Sequence, residues 1–111
     1  MADPRRRSDC PIACSLDLLG DRWTLLIVRD LLRGKKQFTE FHRSEERIAT
    51  NILSDRLERL VRHGLAERVT EGARRRAEYR LTAKGRTLEP LLQALEDWGS
   101  AELEGLTEPC A

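Results

Sequence analysis

Thr50, Asn51 and Ser54 set three short hydrogen-bonding side chains close together, and Asp55, Arg56 and Arg59 follow directly. An asparagine presents a donor and an acceptor in one plane and can read an adenine edge with both. A threonine or serine hydroxyl can meet a base or a phosphate. The carboxylate of Asp55 repels phosphate unless it accepts from cytosine or orients an arginine. Arg56 admits two roles, a clamp on phosphate or a brace inside the protein. The other reactive groups are thiols. Cys10 stands at a predicted helix start just after Arg5, Arg6 and Arg7, where the helix dipole and the cations favour thiolate. Cys14 lies one turn further on. These two cysteines are the redox candidates, and a passive thiol is the competing reading.

Neither His42 nor His63 has a cysteine, a carboxylate or a second histidine at a ligand or triad spacing. No catalytic residue, metal site or cofactor is therefore expected. The spacing of Cys10 and Cys14 is C-x-x-x-C, not the C-x-x-C of thiol oxidoreductases. With three cysteines in all, a disulfide framework is excluded, and any disulfide would act as a switch.

These side chains need an element to carry them. Leu53, Leu57, Leu60 and Val61 recur at i, i+4, i+7 and i+8, the signature of a helix with one buried stripe, and Gly64 stands where it would stop. Thr50, Asn51, Ser54, Asp55 and Arg59 then share the opposite face. Upstream, a first helix is expected from Asp9 or Cys10, with Pro11 in its first turn and Ile12, Leu16 and Leu19 facing inward. The stretch from Arg22 to Leu32 is apolar on nearly every side, as in a central helix, with Trp23 in the core. A brief helix over residues 39–45 precedes the long one. Beyond Gly64, residues 65–70 and 78–82 read as strands joined by a polar loop carrying Arg74, Arg75 and Arg76, a hairpin with a basic tip. A last helix is expected after Thr82, kinked at Pro90, with Leu88, Leu91, Leu92, Leu95 and Trp98 in one stripe.

The 111 residues suit one domain, and the net charge of +1 hides a strong asymmetry. Residues 33–86 hold fifteen basic against eight acidic side chains, net +7, while residues 87–111 hold six acidic and no basic ones. Positive charge concentrated on the middle segment is the footprint of a polyanion-binding face. The N-terminus lacks the apolar stretch of a secretory signal, and no apolar run is long enough to span a membrane. A soluble, cytoplasmic chain is expected, with residues 1–8 a disordered basic tail, 9–104 the folded domain and 105–111 a short tail.

The motifs in this order resemble the HxlR-type winged helix-turn-helix regulators. The family's opening Cys-Pro and Leu-x-x-x-Gly-x-[Lys/Arg]-Trp-[Thr/Ser] are matched by Cys10, Pro11, Leu16, Gly20, Arg22, Trp23 and Thr24. Leu53, Ser54, Arg56 and Leu57 match its recognition-helix motif, and Tyr79, Leu81, Thr82 and Gly85 its Tyr-x-Leu-Thr-x-x-Gly. Trp98 and Gly99 complete the pattern. One departure is Ala49, where the family often has serine, which leaves capping to Thr50 or Asn51. A wing without prolines is another.

The resemblance implies an α+β, mainly α, winged helix-turn-helix with a C-terminal dimerisation helix. It further implies a transcriptional regulator that binds double-stranded DNA as a homodimer. The expected DNA-contacting residues are Thr50, Asn51, Ser54, Asp55, Arg56, Arg59, Arg74, Arg75 and Arg76. The expected dimer contacts are Leu88, Leu91, Leu92, Leu95 and Trp98, which would place two recognition helices on an inverted repeat. Several members of the family sense oxidants or electrophiles through the cysteine at the place of Cys10. The effector, an oxidant or a small molecule, is left open. The alternative is a winged-helix module for protein–protein contact without specific DNA binding, against which the basic middle segment argues.

Overall fold

The structure, a computed structural model, describes residues 7–70 and 77–106. Its elements run α1 (Pro11–Leu19), α2 (Thr24–Leu32), α3 (Phe38–His42), α4 (Thr50–Arg62), β1 (Ala66–Thr70), β2 (Ala77–Leu81), α5 (Ala83–Arg86) and α6 (Glu89–Glu102).

Pro11 occupies the first turn of α1, where its missing N–H costs nothing, and Cys10, not Asp9, is the N-cap residue. The start of α2 falls two residues later than expected. Asp21 receives hydrogen bonds from the amides of Trp23 and Thr24 at 3.1 and 3.2 Å, satisfying two donors that the helix leaves open. Gly34, at φ +93°, turns the chain away after α2, a conformation glycine adopts without steric cost.

Ile27 and Val28 of α2 and Leu53, Leu57 and Leu60 of α4 are completely buried, together with Phe41 of α3 and Ile48. The stripe of α4 therefore packs on the central helix, each buried leucine contributing roughly 1.5–3 kcal/mol. Trp23 is half-buried against this core, with the Arg22 guanidinium 5.2 Å from its ring centre. Val61 packs at the margin of the core.

β1 and β2 pair antiparallel, Ala66 opposite Leu81 and Thr70 opposite Ala77. A third short segment joins them: Gln37 bridges to Glu78, and the Tyr79 amide donates to the Lys36 carbonyl at 2.7 Å. The hairpin is thus fastened to the chain just ahead of α3.

Three expectations are corrected. Pro90 does not kink a long helix, because it lies in the first turn of α6. Thr82 instead caps the separate short helix α5, its hydroxyl accepting from the Gly85 amide. Two helix-start signals in close succession make two helices. Second, Ile12 and Leu16 do not face the core; they are 72% and 55% exposed, and only Leu19 of that stripe is buried. Third, neither Thr50 nor Asn51 caps α4; the N-cap residue is Ala49, with no side-chain hydrogen bond.

Candidate nucleic-acid interface

The polar face of α4 begins with Thr50, Asn51 and Ser54, all exposed. Among the described residues, none of the three spends its side chain on an intramolecular hydrogen bond. Their donors and acceptors face solvent at the end of a helix whose other side buries Leu53, Leu57 and Leu60. α4 is thereby a rigid rod presenting unpaired polar atoms at its tip.

The charged residues behind the tip are arranged differently. Arg56 Nε donates to Asp21 Oδ2 at 2.8 Å, and its Nη1 pairs with Asp55. Of the two roles open to Arg56, the structure displays the brace, and Asp55 orients it. Burial pushes the Asp21 carboxyl upward, but hydrogen bonds from Thr24, Arg56 and the Trp23 amide outweigh this and hold it at about 2. Arg59 Nη2 donates to the carbonyl oxygens of Leu18 and Asp17 at 3.2 and 3.4 Å. Both flank arginines thus turn back toward the protein.

The turn leading into α4 is held by a second charged cluster that periodicity could not reveal. Arg29 Nη1 and Nη2 donate to the two carboxylate oxygens of Glu46 at 2.9 and 2.6 Å. That hydrogen bond lowers Glu46 to about 2, overcoming its partial burial. Asp30, fully buried, accepts from Arg29 Nε at 3.1 Å and lies 3.4 Å from Lys35 Nζ. The ring Nδ1 of His42 closes the same turn, 3.0 Å from the Ile48 carbonyl. Arg47 sits within it at φ +53°, in the left-handed region that non-glycine residues rarely occupy.

Arg74, Arg75 and Arg76, expected at the hairpin tip, lie outside the described residues, as do Arg5, Arg6 and Cys110. The hairpin stem adds a cation that sequence reasoning missed. Exposed Arg68 pairs across the ladder with Tyr79 and, with Gln37 and Thr39, lines a cleft of about 330 Å³ between the sheet and α3. Period-two alternation puts Arg68 on the same face as the buried Ala66, so the strand pattern alone did not mark it as an exposed cation.

The apolar stripe of α6 divides in two. Leu88 and Leu92 pack against the core, whereas Leu91, Leu95 and Trp98 are 41%, 48% and 61% exposed. Among the thiols, Cys10 is exposed at the N-terminus of α1, and Cys14, half-buried, donates from Sγ to the Ser8 carbonyl at 3.2 Å. No helix among the described residues is long and apolar enough to cross a membrane.

A core built from α2, α3 and α4, with a hairpin fastened beside it and polar side chains at the exposed tip of α4, is the geometry of a winged helix-turn-helix. The model of the HxlR-like helix-turn-helix family matches residues 18–106. The chain belongs to this family. YdeP, an uncharacterised HTH-type transcriptional regulator of Bacillus subtilis, is 37% identical over 91 residues, spanning 81% of this chain and 71% of YdeP. Among solved structures, PA1607, a candidate transcription factor, superposes with a TM-score of 0.84 at 42% identity, covering 96% of this chain and 74% of that one. The redox regulator HypR in its reduced form gives a TM-score of 0.78 at 32% identity, over 87% and 97% of the two chains. As an HxlR-like protein the chain is a DNA-binding transcriptional regulator. Its likeness to HypR extends over nearly all of HypR's length.

Proposed function

We propose that this HxlR-like chain is a homodimer that recognises an inverted repeat in double-stranded DNA through the tip of α4. The observation that carries the proposal is the exposed, unspent trio Thr50, Asn51 and Ser54 on a helix whose opposite face buries Leu53, Leu57 and Leu60. Asn51 is the base reader, and Thr50 and Ser54 meet bases or phosphates. The net +7 over residues 33–86 supplies the attraction to phosphate, with Arg74, Arg75 and Arg76 as the wing's contribution.

Support for the dimer comes from two apolar faces left open on one chain. Ile12 and Leu16 stand out from α1, and Leu91, Leu95 and Trp98 from α6. Large apolar side chains left exposed on a helix face are the kind of surface that marks an interface. The acidic residues 87–111 fit a dimer end turned away from DNA. HypR is described in a reduced and an oxidised form. On that likeness, together with its exposure at a helix N-terminus, Cys10 is the thiol through which this regulator responds to oxidants.

The test is a gel shift on duplexes from the region upstream of the chain's own gene. Asn51→Ala should cost about 1–3 kcal/mol on the specific duplex and little on unrelated DNA. Equal losses on both, or no retarded band with the wild type, would overturn the assignment.

A further inference from the structure

We infer that Arg56 and Arg59 are positioning residues that hold the recognition helix at one rotation, with Asp21 as the anchor, and that neither supplies a phosphate contact. The inference rests on the DNA-binding reading of α4.

The leucine stripe of α4 cannot set that rotation alone. Apolar burial is non-directional, and helix packing angles scatter by roughly 15–20° about their preferred values. A recognition tip whose donors must meet base edges within hydrogen-bond distance needs a directional constraint as well. Arg56 and Arg59, one turn apart, supply it on the flank of α4 beside α1 and α2.

Asp21 is suited to the anchor because α2 fixes it. Its Oδ2 accepts from the Trp23 and Thr24 amides, and its Oδ1 from the Thr24 hydroxyl. Arg56 Nε adds to Oδ2 at 2.8 Å, and both side chains are only about a quarter exposed, at 23% and 22%. An N–H committed to a fixed carboxylate would have to leave it before meeting a phosphate.

Arg59 uses a different acceptor. α1 carries no basic residue in its last turn, so its terminal carbonyls and the negative end of its dipole lack a cation of their own. Arg59 Nη2 fills that role at the Leu18 and Asp17 carbonyls. One flank of α4 is thus hydrogen-bonded to the end of α1 and to the start of α2.

Fluorescence anisotropy distinguishes positioning from phosphate contact. The probes are a duplex selected by the wild type from a randomised pool and an unselected duplex of the same length, each titrated over a salt series. Arg56→Lys keeps the charge and loses the planar fork. It should weaken the selected duplex about tenfold, leave the unselected one unchanged, and leave the salt slope unchanged. Asp21→Asn, at a residue that no phosphate would bind, should do the same, and the double variant should lose no more than either single one. Arg59→Met should also reduce discrimination at constant slope. Retained binding to the unselected duplex reports that each variant is folded.

A slope reduced by about one for Arg59→Met, with equal weakening on both duplexes, would overturn the inference, since that is the mark of a lost phosphate contact. So would wild-type discrimination in both Arg56→Lys and Asp21→Asn. A wild type that enriches no duplex from the pool would instead overturn the DNA-binding reading, and the positioning role with it.

Discussion

A Cβ placed on Gly85 would fall 1.9 Å from the carbonyl oxygen of Leu65 and 2.9 Å from Leu81 Cδ2. α5 thus crosses the start of the hairpin at a separation only glycine permits. Its hold there is completed by Thr82, whose amide donates to that Leu65 carbonyl and whose hydroxyl donates to the Gly64 carbonyl. Gly85→Ala should therefore force the two segments apart and destabilise the fold by about 1–3 kcal/mol, the range for overpacking a tight site. Urea unfolding monitored by circular dichroism would show this as a lower midpoint at unchanged slope.

Leu95→Glu places a charge in the middle of the exposed stripe of α6, where it costs the single chain little because Leu95 is 48% exposed. The variant should run as a monomer by light scattering at micromolar concentration, with its melting curve close to that of an isolated wild-type chain. Affinity for an inverted repeat should fall steeply while affinity for one half-site persists. A Leu95→Glu protein that remains dimeric would move the interface elsewhere.

Acid should loosen the seat of the recognition helix before it unfolds the core. Asp21 is lowered from 3.8 and Glu46 from 4.5, each to about 2. Both folded values lie below the unfolded ones, so the stabilisation is fully present above about pH 5 and is lost as pH falls toward 2. Shifts of this size correspond to at most about 2–3 kcal/mol for each carboxylate, and to less after solvent screening, because both side chains are partly exposed. Stability measured by urea titration from pH 6 to pH 2 should fall through this window. Asp21→Asn and Glu46→Gln should each flatten part of the decline.

Diamide removes two electrons and two protons from a pair of thiols to form a disulfide. Treatment of the regulator should give a reducible dimer band on a denaturing gel and an altered DNA affinity, with both effects absent in Cys10→Ser. A bridge through Cys10 would draw on the partner's own thiols, because within one chain Cys10 and Cys14 are stacked along the same helix. The Cys14 amide donates to the Cys10 carbonyl at 2.9 Å, and side chains so arranged lean the same way and are poorly directed for a bond. If oxidation changes neither the gel nor the affinity, Cys10 is a passive thiol.

What the sequence determined by itself was everything carried by local repetition and local stops. The stripe Leu53, Leu57, Leu60 declares a helix with one buried side, and those three residues are buried. Gly64 ends α4 at φ +73°, a conformation open to glycine because it has no Cβ. The alternation around Tyr79 and Leu81 marks a strand, and the family motifs follow the same order as the elements. Tertiary structure decided the rest, for two physical reasons. Periodicity reports which side chains share a face, not whether anything covers it: Ile12 and Leu16 share a stripe with Leu19, yet they stay exposed among the described residues. Partners distant in sequence leave no local trace either. Asp21 meets Arg56 across 35 residues and Arg29 meets Glu46 across 17, pairings that exist only after the helices have packed and brought an already charged surface position to face another.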